Sequence, residues 1–92
     1  MLRIEILSNG LSGLTFNELQ KCEIPSPRSG FNSEINNNAV IQFEDEQEAI
    51  DYAHDLDVYA DSIANTTKEY LVITDIINAI SDDKFVQAYI QK

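Results

Sequence analysis

The chain has no tryptophan, one cysteine, one histidine, two prolines and three glycines among 92 residues, and six basic side chains against sixteen acidic ones. Each shortage excludes something. Cys22 alone can neither close an internal disulfide nor assemble a cysteine zinc site, and a lone thiol fits a reducing compartment. A Ser-His-Asp or Cys-His arrangement would have to use His54, the only histidine. No P-loop, GxGxxG turn or GxSxG elbow is present, so neither a phosphate cradle nor a strained nucleophile turn can be built. No apolar run approaches the roughly 18 residues that span a bilayer, and Met1-Leu2-Arg3-Ile4-Glu5 carries charge where a signal peptide has its apolar stretch. The expectation is a cytoplasmic protein. With a net charge of −10, repulsion from phosphates and anionic lipid argues against direct nucleic-acid or membrane binding. A basic protein surface or a cation is the more natural partner.

What is present is enough to fold. A hydrophobic content of 43%, with four Phe and four Tyr, lies within the globular range, and a chain of this length supports one core, hence a single domain over residues 1–92. Leu2 to Leu7 alternates apolar and charged residues, the period of a half-buried strand, and Ser8-Asn9-Gly10 supplies a turn. Leu11 to Phe16 can return as a second strand, or Thr15 and Glu18 can form the capping box of a short helix running to about Cys22; the helix is preferred. Pro25-Ser26-Pro27 and Asn36-Asn37-Asn38 bound a long polar loop over 25–38, in which Arg28 and Phe31 are candidates to touch a partner. A second strand follows at 39–43.

The acidic run after it suits the positive end of a helix dipole. Ala49, Ala53, Leu56, Ala60 and Ile63 recur at steps of four and three, which predicts a helix over about 45–64 with one buried face. Thr66 and Glu69 offer a further capping box ahead of an apolar stretch from Tyr70 to Ile80. That stretch reads as helix, although Tyr70 to Thr74 also fits a buried strand. Ser81-Asp82-Asp83 caps a last helix over 84–91. The expected class is α+β: a small sheet including 2–7 and 39–43, covered by two or three helices from the C-terminal half.

Charge is distributed unevenly. Between Glu44 and Asp61 there are eight acids and no Lys or Arg. On one continuous helix Glu44, Glu48, Asp51 and Asp55 would form a row beside the apolar stripe, with Asp57 and Asp61 on its opposite flank. Like charges at these spacings cost roughly 0.2–0.5 kcal/mol per pair, so the row is either a solvated face covered by core burial or a surface kept for a partner. Eleven residues at a 1.5 Å rise extend about 16 Å, the length of four or five phosphates along a DNA strand. Such a row can act as a nucleic-acid decoy. Small acidic proteins that imitate DNA share this composition, but they share no motif and no family follows from it.

The expected function is therefore non-catalytic: an acidic interaction protein that binds and regulates a basic partner such as a nucleic-acid-binding protein. Partner-binding candidates are Glu44, Glu48, Asp51, Asp55, Asp57 and Asp61. No cofactor and no metal is expected, because Asp55-Leu56-Asp57 lacks both the glycine and the terminal glutamate of a calcium loop. Two alternatives stand beside this reading. One is an assembly subunit that dimerises with a second copy through the broad apolar arcs of Tyr70–Ile80 and Phe85–Ile90. The other is a small enzyme built on His54 or a carboxylate pair.

Overall fold

The computed structural model describes all 92 residues. Strand β1 (Leu2–Ile6) buries Leu2, Ile4 and Ile6 and turns Arg3 and Glu5 to the other face, as its alternation demands. It pairs antiparallel with β3 (Ala39–Phe43), Leu2 opposite Phe43 and Ile6 opposite Ala39. A two-residue strand, β2 (Asn32–Ser33), pairs with the far side of β3, so the order is β1-β3-β2. Four helices complete the fold: α1 (Phe16–Leu19), α2 (Glu46–Ala60), α3 (Lys68–Asp82) and α4 (Lys84–Ile90). The class is α+β, with three helices in the C-terminal half, as expected from the sequence. No helix is long and apolar enough to cross a membrane.

The core lies between one face of the sheet and α2, α3 and α4. It joins Ile4, Ile41 and Phe43 from the strands to Ala49, Tyr52 and Leu56 of α2, Val72, Ile73, Ile76 and Ile80 of α3, and Val86 of α4. Phe43 and Tyr52 pack ring to ring with centroids 5.9 Å apart. Each Val, Leu, Ile or Phe of this core contributes about 1.5–3 kcal/mol when fully removed from water. The segment Tyr70 to Thr74 is helical, and its breadth of apolar residues is used up internally. α3 packs against β1, α2 and α4 at once, so Val72 and Ile73 are both buried and among its large apolar residues only Leu71 reaches the exposed range.

Several boundaries differ from the expectations, each for a local reason. The Glu18 carboxylate accepts hydrogen bonds from the Thr15 amide (3.2 Å) and hydroxyl (3.0 Å), but the helix it opens ends at Leu19, before Cys22. The polar stretch 25–38 is not a free loop. It contains β2 and a 3-10 turn over Ile35–Asn37, and Asn36 and Asn37 adopt φ of 67° and 63°. Asparagine tolerates this left-handed backbone better than most residues, which is how the chain reverses tightly enough for Glu34 to meet Asn38. Phe31, offered as a partner contact, packs against the core instead. Thr67 rather than Thr66 caps α3, its hydroxyl accepting from the Tyr70 amide. Asp83 ends α3 and caps α4, its Oδ1 accepting from the amides of Phe85 and Val86.

Candidate functional site

Of the six acids singled out, three form a cluster. Glu48, Asp51 and Asp55 lie along one flank of α2 and, with Ser26, Arg28, Phe43 and Tyr52, line an open cleft of about 290 Å³. Glu44 does not continue the row. Asp45 is the N-cap, its Oδ1 accepting from the Glu48 amide at 2.9 Å, so the helix begins only at Glu46 and Glu44 stays at the strand exit. Glu44 is nevertheless tied to the row, because its amide donates to Glu48 Oε2 at 3.0 Å. At the other end α2 stops at Ala60, short of the expected 64, and Asp61 is its C-cap. Asp57 and Asp61 are both exposed, on the far side of the buried stripe.

The opposite wall of the cleft is the segment 23–28, and two α2 tyrosines hold it. Tyr52 Oη donates to the Pro25 carbonyl and Tyr59 Oη to that of Glu23, each at 2.8 Å. Burial pushes the Tyr52 phenol well above its usual range, which favours the neutral, donating form. This anchoring, with Pro27 buried, brings Arg28 to the mouth of the cleft. Asp51 is positioned from behind: Gln47 Nε2 donates to its Oδ1 at 2.9 Å, while Gln47 Oε1 accepts from Tyr89 Oη at 2.8 Å. The rings of both tyrosines pack with the core while their hydroxyls hold this segment, a second role that residue spacing does not reveal.

The carboxylates of this region make no ion pair within the fold. The ion pairs of the protein are Arg3 with Glu5 and Arg3 with Glu34, both on the outer face of the sheet. Arg28 shares the cleft without coming within ion-pair distance of Glu48, Asp51 or Asp55. No base stands in the last turn of α2, where Asp57 and Asp61 oppose the helix dipole.

The structure does not bring His54 and Cys22 together in one cavity. His54 is exposed on α2 and lines none of the three cavities. Cys22 lies elsewhere, in a shallow cleft with Glu18, Lys21, Lys68 and Glu69. Burial, and after it the nearby Glu69 carboxylate, pushes its thiol pKa up, the opposite of what a nucleophile needs. Asp55 and Asp57, two residues apart on the helix, project about 160° away from each other and cannot share a cation. No three His, Cys, Asp or Glu side chains are arranged to hold a metal ion. Comparison with protein families, with curated proteins and with solved structures finds no match to the chain.

Proposed function

We propose that the protein is a non-catalytic acidic interaction protein, and that the Glu48, Asp51 and Asp55 flank of α2 docks on a basic surface of a nucleic-acid-binding protein, which it thereby inhibits or regulates. The observation that carries this reading is the uncompensated charge: eight acids between Glu44 and Asp61, none in an ion pair. Glu48 with Asp51 and Asp51 with Asp55 are like-charge neighbours three and four residues apart, each pair costing roughly 0.2–0.5 kcal/mol, and no ion pair within the fold offsets that cost. A basic partner recovers it. From Glu48 to Asp55 the row rises about 10 Å, which matches about three phosphate steps of a DNA strand rather than four or five. Asp57 and Asp61 extend the negative field to the opposite flank and steer the encounter. In this reading the protein works in the cytoplasm, where the free thiol of Cys22 stays reduced.

The test is capture of host proteins on the immobilised chain at low ionic strength, followed by a rising salt gradient. Basic nucleic-acid-binding proteins should elute early and in order of their charge. Retention that is indifferent to salt would contradict the proposal.

A second reading has one observation in its favour. On α4, Phe85 is 56% exposed and shares a face with Tyr89 four residues on, while Ile90, 63% exposed, lies further round the helix, apolar surface suited to an assembly subunit or a homodimer. The support expected from α3 is gone, since that helix spends its apolar residues in the core. Apolar association would hold or strengthen as salt rises, so the same gradient separates the two readings.

A further inference from the structure

The strand order leaves β1 at an edge of the sheet, bonded on one side only. Which of its backbone groups are free follows from the register. The Glu34 amide donates to the Asn38 carbonyl at 2.9 Å, so these two residues form a hydrogen-bonded pair. Two residues on, Asn32 and Val40 belong to the same class, and Val40 turns its backbone groups toward β2. Ala39, Ile41 and Phe43 then turn theirs toward β1, where they meet Ile6, Ile4 and Leu2. The amides and carbonyls of Arg3 and Glu5 are left pointing out of the open edge.

That edge is one wall of the largest cavity of the molecule, a groove of about 510 Å³. Its other wall is α3 from Asp75 to Asp82, with Asp83 beyond, and Ile4, Ile6 and Ala79 also line it. The charged residues of the groove are Glu5, Asp75, Asp82 and Asp83 against Arg3 alone, and the Arg3 guanidinium is already held by Glu34. Asp75 is occupied by the amides of Leu11 and Ser12. Asp82 is exposed and has no partner. Natural edges are commonly blunted by charged side chains, lysine above all, by proline or by a covering segment; β1 contains no lysine or proline, and its charged residues Arg3 and Glu5 turn to the outer face of the sheet.

We propose that this groove binds an extended, lysine- or arginine-bearing segment of a partner protein, which adds to β1 as a fourth strand. Its backbone pairs with Arg3 and Glu5, and its basic side chains meet Asp82 and the free oxygen of Asp83. Charge selects this occupant over a second copy of the chain, because β1-to-β1 pairing would bring two acidic grooves together. The groove shares no residue with the α2 cleft, so the proposal is independent of the function assigned to that cleft.

The experiment is amide hydrogen exchange on the full-length ¹⁵N-labelled protein with a short capped peptide of alternating Lys and Val. In the free protein Arg3 and Glu5 should exchange fast and Ile4 slowly; saturating peptide should slow Arg3 and Glu5 about tenfold or more and leave Ile4 little changed. Arg3→Pro removes an outward donor without touching the β3 ladder and should abolish the protection at Glu5. Asp82→Asn, at an exposed carboxylate that makes no hydrogen bond or ion pair, should weaken the peptide about two- to fivefold. The protection should survive in the Glu48→Gln, Asp51→Asn, Asp55→Asn variant, which separates this groove from the α2 cleft. Three results would overturn the proposal: unchanged exchange at Arg3 and Glu5, equal protection by an alternating Glu and Val peptide, or protection in the free protein that rises with its own concentration.

Discussion

Asp75 is the polar residue of α3 on which most depends, and replacing it gives a quantitative check on how the N-terminal turn is held. Its Oδ1 accepts from the Leu11 amide at 2.9 Å and its Oδ2 from the Ser12 amide at 2.8 Å, tying residues 10–12 to the helix. Gly10 packs so closely that a Cβ there would lie 2.9 Å from Oδ2. Hydrogen bonds to a charged acceptor contribute about 1.5–3 kcal/mol when buried, but the Leu11 amide is exposed and water replaces its share. Asp75→Ala should therefore cost about 1.5–3 kcal/mol in total, and a domain of this size should melt roughly 6–24 °C lower. Gly10→Ala should cost about 1–2 kcal/mol in the native background, because the carboxylate must move away from both amides, and much less once Asp75 is alanine. Urea unfolding of the two single variants and the double variant closes the cycle. Additive costs, or an Asp75→Ala variant within about 0.5 kcal/mol of the native protein, would refute the reasoning.

Other expectations follow from the same contacts. Tyr52→Phe and Tyr59→Phe should each cost about 0.5–1.5 kcal/mol and release the segment 23–28, read as faster tryptic cleavage after Arg28. Asp51→Asn with Asp55→Asn should leave stability unchanged or raise it by a few tenths of a kcal/mol in thermal melts, whereas Glu48→Gln should lose part of that gain because Glu48 also accepts from the Glu44 amide. The Ile35 amide, and after it Arg3, hold Glu34 below the usual carboxylate range. Its folded pKa being the lower one, the stability it adds is present above the unfolded value and lost as pH falls through the folded value; Glu34→Gln should flatten the acid limb of a pH-melting curve. Cys22, its thiol raised by burial and Glu69, should alkylate more slowly than a free thiol at mildly alkaline pH, and Glu69→Gln should speed it.

Features that repeat with a fixed period were legible in the sequence. The alternation of Leu2, Ile4 and Ile6 announced β1, and the steps from Ala49 to Leu56 announced α2, since burial of one face is the cause of both the pattern and the element. Features created by tertiary contact were not. Asn32 and Ser33 have no strand character, and they pair because Asn36 and Asn37 reverse the chain and Ser29 Oγ donates to the Gln42 carbonyl at 2.7 Å. Tyr70 to Thr74 could not be assigned by periodicity because α3 is contacted on several sides. The candidate row was half visible: Glu48, Asp51 and Asp55 share a flank as their spacing implies, but Asp45, read as one acid among many, caps α2 and leaves Glu44 outside it. Asn38 shows the same limit. It looked like loop, yet it is buried, accepts from the Ser8 amide at 2.8 Å and donates to Glu5 Oε2 at 2.7 Å.

In the proposed function the α2 carboxylates take the place of nucleic-acid phosphates on a basic partner. The most direct measurement sets the native chain and the Glu48→Gln, Asp51→Asn, Asp55→Asn variant side by side as bait for the same host proteins, and then challenges each complex with duplex DNA at constant ionic strength. The expected result is a partner that the native chain holds, that DNA displaces, and that the variant binds at least about tenfold more weakly through slower association, with its fold intact. A variant that retains the partner fully, or a complex that DNA leaves untouched, would contradict the claim and move attention to Phe85 and Ile90 on α4.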